Sequence, residues 1–161
     1  MAETVHLTLK ANGKTIQGDS TQASNGRDKT IECVSYEQAG TVPTDANGAS
    51  AGRRQYSPVS IRKRVDRASP LLWKAMTENS TIDGDFKFYR PSPAGDGTTE
   101  QFYTVNLKQG RISGIRQYVP DTLASNSTEP PMEEVSFVFH TITWTFNDGG
   151  IQHEDSWKQN R

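Results

Sequence analysis

The sequence predicts a mainly β fold: a two-sheet β-barrel or sandwich with one short α-helix and long extended loops. Three observations predict it. Apolar and polar residues alternate along most of the chain, the period of a half-buried strand. The alternating runs are filled by β-branched and aromatic residues, which suit a pleated surface. Gly, Pro, Asn, Asp and Ser clusters separate the runs at short intervals, as in all-β sandwiches and barrels.

Each element follows from local pattern. Val5, Leu7 and Leu9 alternate with Thr4, His6, Thr8 and Lys10, giving a first strand with one buried face. Residues 11–28 are polar and rich in Gly, Asn and Ser, hence loop. Thr30 to Tyr36 reads as a second strand, with Cys33 as a small core residue. A long connection from Gln38 to Gln55 follows, of a length that is usually functional. Tyr56 to Val65 reads as a strand in which Pro58 marks an edge or bulge. Ser69 suits an N-cap and Pro70 the first helical position, and Leu71, Leu72, Ala75 and Met76 then form a helical stripe. Strands follow around Phe86–Tyr89, Phe102–Leu107 and Ile112–Val119, with Gly114 at a phase change that signals a bulge. After a second polar loop, 120–131, a ribbon closes the chain. Val135, Phe137 and Phe139 lie on one parity and His140, Ile142, Trp144 and Phe146 on the other. Asn147-Asp148-Gly149-Gly150 supplies a hairpin turn, and Ile151, His153 and Trp157 return.

Composition narrows function. The chain has 161 residues, enough for one domain over 1–161 with a real core. Apolar residues make up only 32%, so surface or loops must be extensive, and a net charge of −1 provides no field for nucleic acid or anionic membrane. A single cysteine, Cys33, excludes an internal disulfide and fits synthesis in a reducing cytosol. The first residues lack the basic and apolar regions of an ordinary signal peptide. No stretch has transmembrane length, so no membrane insertion is expected.

Rival chemistries are weak. His153, Asp155 and Ser156 hold the letters of a hydrolytic triad but sit on one strand, where a triad needs members converging from separate segments. His6, His140 and His153 lack a Cys or carboxylate partner at metal-ligand spacing. The basic cluster Arg53, Arg54, Arg62, Lys63, Arg64 and Arg67 has only Tyr56 as a stacking aromatic, so solvated strand charges or intersubunit salt bridges to acidic stretches such as Asp83, Asp85, Glu133 and Glu134 are the better reading than nucleic-acid binding. Neither catalytic residues, nor cofactor, nor metal is expected. A ligand-binding barrel would need an apolar cavity that the sequence does not reveal.

Ala68-Ser-Pro-Leu-Leu-Trp-Lys-Ala-Met76 and Ile142-Thr-Trp-Thr-Phe-Asn-Asp-Gly-Gly-Ile-Gln-His-Glu-Asp-Ser-Trp157 carry a more specific signal, supported by Val42-Pro-Thr-Asp45 and Phe86-Lys-Phe-Tyr89. In order and spacing they resemble the haemolysin-coregulated protein family, Hcp, over essentially the whole chain. The resemblance implies a tail-tube-like fold. It implies hexameric rings that stack into the inner tube of the bacterial type VI secretion system, inside a contractile sheath and behind a VgrG-type spike. It implies carriage of effector proteins, and passage from the bacterial cytoplasm to the outside or a target cell. With no extension after Arg161, the chain resembles the unfused tube protein. A tail-tube protein of a phage-like contractile particle is the nearest alternative. On this resemblance the 40–54 loop is the ring-stacking element, with Thr41, Val42, Pro43, Thr44, Asp45, Arg53 and Arg54 as contact residues. Ser35 and Glu37 are expected to face the channel and its effectors.

Overall fold

A 20-residue strand, β9 (Thr99–Tyr118), organises the molecule. The computed structural model describes residues 3–124 and 128–157. Around β9 the chain runs β1 (Thr4–Ala11), β2 (Lys14–Ile16), β3 (Ile31–Cys33), β4 (Ser35–Glu37), β5 (Gly40–Thr41), β6 (Gln55–Tyr56), β7 (Val59–Arg64), α1 (Ser69–Thr77) and β8 (Ile82–Pro91) before it. β10 (Met132–Val138), β11 (Thr141–Phe146) and β12 (Ile151–Ser156) follow it.

The first half of β9 pairs with β8 and β11, and its second half with β10. The bend between the halves sits at Gln109, whose φ is +53°, and at Gly110. A Cβ on Gly110 would lie 2.4 Å from the Val138 carbonyl oxygen, so only glycine fits the crossing. One layer is therefore β2-β1-β8-β9-β11-β12 with β3 on β1, and the other is β9-β10-β7-β4. Their inner faces meet. Phe86 of β8 packs edge-on to Phe137 of β10 at 5.8 Å, and Tyr36 of β4 packs against Phe86 and Phe88 at 5.1 and 5.0 Å. Leu7, Leu9, Ile31, Val59, Ile61, Val105, Leu107, Val135 and Ile142 fill the buried space between.

The expected two-sheet, mainly β fold with one helix is present, and its sheets are those of a sandwich that does not close. β3 and β4, three residues each, carry the chain from one layer to the other. Among the described residues no ladder joins β4 back to the first layer, so the sheet stays open.

Several boundaries differ from the sequence reading, each for a local reason. The loop expected over 11–28 begins with a tight hairpin at Asn12-Gly13, both at positive φ, which makes β2. The second strand breaks at Val34, whose amide turns to the Arg62 carbonyl. Ser57-Pro58 separates β6 from β7. The two strands expected around Phe102 and Ile112 are one, and the bulge expected at Gly114 is present as a register shift opposite Ser136 and Phe137. The ribbon expected from Val135 to Phe146 is two strands in different layers: its parity change at Phe139-His140 is the corner between them. The 120–131 loop lies partly outside the described residues, as do both chain ends.

The helix starts one residue earlier than expected. Ala68 is the N-cap and Ser69 is already helical. The Ser69 hydroxyl is occupied elsewhere: it donates to Glu133 Oε1 at 2.6 Å and accepts the Asp66 amide at 3.0 Å. Leu72 and Ala75 are buried, but Leu71 is 43% exposed. Beneath the helix start, Lys63 of β7 and Glu133 of β10 face each other across the ladder, both fully buried and ion-paired. Lys63 also donates to Asp66 Oδ1 at 2.9 Å, and Gln117 Nε2 to Glu133 Oε2 at 3.1 Å, so both charges are satisfied. This cluster ties α1 to the second layer.

Candidate functional site: a clamped hairpin

The long 38–55 connection is an extended hairpin. Gly40 and Thr41 of β5 pair with Tyr56 and Gln55 of β6, and Thr44 bridges Ser50 farther out. The Pro43 carbonyl accepts the Ala51 amide at 2.8 Å, and Asp45 N donates to Ala49 O at 2.9 Å. Asp45 Oδ1 caps the tip by accepting the amides of Asn47 and Ala49 at 2.9 and 3.0 Å. Gly48, at φ +83°, supplies the left-handed residue that this turn requires.

The root is fixed to β12. Alternation points Asp155 inwards, where it is 3% exposed. Arg54 grips its carboxylate with two nitrogens, Nη2 reaching Oδ1 at 2.8 Å, and donates again to the Ser156 carbonyl at 2.6 Å. The Tyr56 hydroxyl donates to the same carboxylate. Burial pushes the Asp155 carboxyl up, but the Arg54 and Tyr56 hydrogen bonds and the Arg54 charge outweigh it, leaving it below the usual carboxylate range. The Tyr56 phenol is raised, first by burial and then by its bond to Asp155.

Aromatic side chains complete the base. Tyr56 contacts Phe139 at 5.4 Å, Trp144 at 6.2 Å and Trp157 at 5.6 Å. Trp144 Nε1 donates to Gln38 Oε1 at 3.0 Å, and Trp157 Nε1 to the Phe139 carbonyl at 2.6 Å. His153, the direct cross-strand partner of Trp144, stacks on it 6° from parallel. The root of the hairpin therefore rests on aromatic and anionic groups of β11 and β12, with Val42, Ser50 and Gly52 lining a shared cavity with His153 and Asp155.

The loop residues divide into two sets. Arg54 is held internally by Asp155, whereas Arg53 is exposed and, among the described residues, hydrogen-bonds only to the Trp157 carbonyl, at 3.5 Å. Pro43 is half-buried against Gly52, while Thr41, Thr44 and Asp45 are exposed and Val42 is 52% exposed. Ser35 and Glu37 are exposed on β4, opposite Arg62 and Ser60. With Ser136 and Glu134 they form a polar strip on the outer side of the second layer.

The rival sites do not assemble. Asp155 serves Arg54 and Tyr56, and His153 serves Trp144, so the triad letters have other partners. Among the described residues no cluster of His, Cys, Asp and Glu could hold a metal, and no helix is long and apolar enough to cross a membrane. The basic cluster is largely paired within the chain: Arg54 with Asp155, Arg62 with Glu129, Lys63 with Glu133 and Asp66, Arg64 with Glu32, and Arg67 with Asp19. Cys33 is buried in the core, and burial pushes its thiol up to about 12. Sequence reasoning missed Asp155 and Tyr56 as anchors, although Asp155 on a strand parity shared with Ile151 and His153 was legible.

Comparison with known proteins agrees with this architecture. The family model described as "Type VI secretion system effector, Hcp" matches residues 8–146. The "Major exported protein" of Pseudomonas aeruginosa is 31% identical over 136 residues, covering 83% of this chain and 78% of that protein. A double mutant of the Hcp1 protein from an E. coli EAEC pathovar is 30% identical, with a TM-score of 0.82 over 96% of this chain and 98% of that one. "Secreted protein Hcp3" of Pseudomonas aeruginosa shares the fold at 22% identity, with a TM-score of 0.73 over 98% and 99% of the two chains. The chain belongs to the Hcp family of the type VI secretion system.

Proposed function

We propose that this chain is a non-enzymatic tube subunit: six copies close into a ring, and rings stack through the β5–β6 hairpin into the inner tube of a type VI secretion machine. The observation that carries this reading is the clamped root beneath an exposed tip. A hairpin meant only to cover its own chain has no need of an Arg–carboxylate–Tyr anchor that holds it out. A preorganised tip loses little conformational entropy on docking, so more of its contact energy appears as affinity. Thr41, Val42, Thr44 and Arg53 are the side chains this footing presents to a neighbouring ring, and Arg54 positions them.

Within this reading the polar strip of Ser35 and Glu37 lines the channel, where polar contacts let effector proteins bind reversibly and leave. A VgrG-type spike caps the tube, a contractile sheath drives it, and the subunit passes from the bacterial cytoplasm to the outside with the tube. Deleting residues 41–53 tests the hairpin's role. The ring should survive in size-resolved chromatography, while tube formation and export fall to background. Unchanged export would remove the stacking role.

A further inference from the structure

We propose that Asn47-Gly48, at the hairpin tip, is a site of spontaneous deamidation that converts a neutral side chain into a carboxylate. The chemistry is intrinsic to Asn-Gly steps, because glycine puts no side chain in the way of its own nitrogen. The Gly48 backbone nitrogen bonds to the Asn47 side-chain carbon. The bond from that carbon to the amide nitrogen breaks, and ammonia departs with the proton that the Gly48 nitrogen gives up. Water then opens the cyclic imide at either carbonyl, leaving aspartate or, with an extra methylene in the backbone, isoaspartate.

The chain has three Asn-Gly steps, and the fold treats them differently. The Asn12 carboxamide is held at both ends: Nδ2 donates to Ser80 Oγ at 3.3 Å and Oδ1 accepts the Thr81 amide at 3.1 Å. Asn25 Nδ2 donates to the Thr99 carbonyl at 2.9 Å. Either side chain must break these bonds before its carbon can swing onto the next amide. Asn47 is exposed, and among the described residues its carboxamide makes no hydrogen bond; only its backbone amide is held, by Asp45 Oδ1. The Gly48 amide makes one exposed turn bond to the Asp45 carbonyl, at 3.1 Å, which must open for attack. No Cβ on Gly48 would meet anything within 4 Å, so the tip has room for the ring. The product places a second carboxylate two residues from Asp45, at the exposed tip of the hairpin. This change needs no enzyme and accumulates with the age of the protein.

Trypsin separates the three steps into peptides 11–14, 15–27 and 30–53, and Asn47 is the only asparagine in the last. The folded protein is aged at mildly alkaline pH, digested, and each peptide followed by mass spectrometry for exchange of an amide nitrogen for oxygen. Peptide 30–53 should convert several-fold faster than the other two, and Asn47→Ser should abolish its conversion although Gln38 remains. In urea, where the tethers are gone, the three rates should draw together. Equal or faster conversion of 11–14 or 15–27 in the folded protein would overturn the proposal, as would conversion of 30–53 that persists in Asn47→Ser.

Discussion

At the residue scale, the fold strongly alters His6. It lies on β1, fully buried, edge-on to Tyr89 at 5.5 Å. The Thr30 hydroxyl gives its proton to the Arg27 carbonyl at 2.7 Å, so it accepts from His6 Nδ1 at 3.0 Å. Nε2 is then buried with no hydrogen-bond partner among the described residues. Burial, opposed by Glu32 and assisted by Arg27, lowers the imidazole from 6.5 to about 4. Between these values the unfolded chain binds the proton and the folded one does not, so stability falls as pH falls through this window. Urea unfolding should show the wild type losing about 2–3 kcal/mol more than His6→Gln between neutral pH and pH 4. Parallel losses would contradict the buried neutral imidazole. Alternation had placed His6 on the strand face opposite Val5, Leu7 and Leu9. What hid its burial is the 18–30 segment, which covers that face from outside the strand.

The two loop arginines separate by environment, although they are neighbours in sequence. Arg54 carries a bidentate pair with a carboxylate that is 3% exposed, and Arg53 carries one long contact on the surface. Arg54→Met should cost about 2–4 kcal/mol, because it strands a buried charge. Arg53→Met should stay within about 0.5 kcal/mol. Denaturant midpoints of the two variants check this, and equal losses would show that the root is not clamped. The sequence showed an Arg-Arg pair in a long loop but not the division of labour, because the anchor lies about a hundred residues away on β12.

At the element scale, alternation was a reliable guide to where strands lie and a poor one to where they pair. Leu7 and Leu9, Phe86, Val105 and Leu107, and Val135 and Phe137 are buried on the parity that alternation predicts, whereas Val5 and Phe88 are half-buried and His6 and Tyr89 are buried on the opposite parity. Pairing was hidden because β9 serves two layers, and because the parity change at Phe139-His140 is a corner rather than a bulge in one ribbon. The Lys63–Glu133 pair was legible in hindsight: each charge shares the inward parity of its own strand, Val59 and Ile61 for Lys63, Val135 and Phe137 for Glu133. Removing one partner leaves an uncompensated interior charge, so Lys63→Met alone should cost about 3–5 kcal/mol. Lys63→Met with Glu133→Leu should recover at least half of that, since an apolar pair of similar volume removes both charges together. If the double variant is as unstable as the single one, the pair is held by the Ser69 and Gln117 bonds rather than by mutual attraction.

At the scale of the whole molecule, the open sheet is the central physical fact. β12 pairs only with β11 and leaves its other edge bare among the described residues, with Ile151 70% exposed on it. β4 ends the other layer. A bare, partly apolar edge invites unregulated pairing unless a partner covers it. In the proposed closed ring, one edge of every copy would be covered by a surface of the next, and the clamped hairpin would be left for contacts along the ring axis. In the proposed assembly, the edges that a single chain leaves open are closed by neighbouring chains. The most direct test is the mass of the purified protein in solution, by light scattering coupled to chromatography. The account predicts a particle of six 17.9 kDa chains that persists when residues 41–53 are deleted. A strict monomer at high concentration would contradict it.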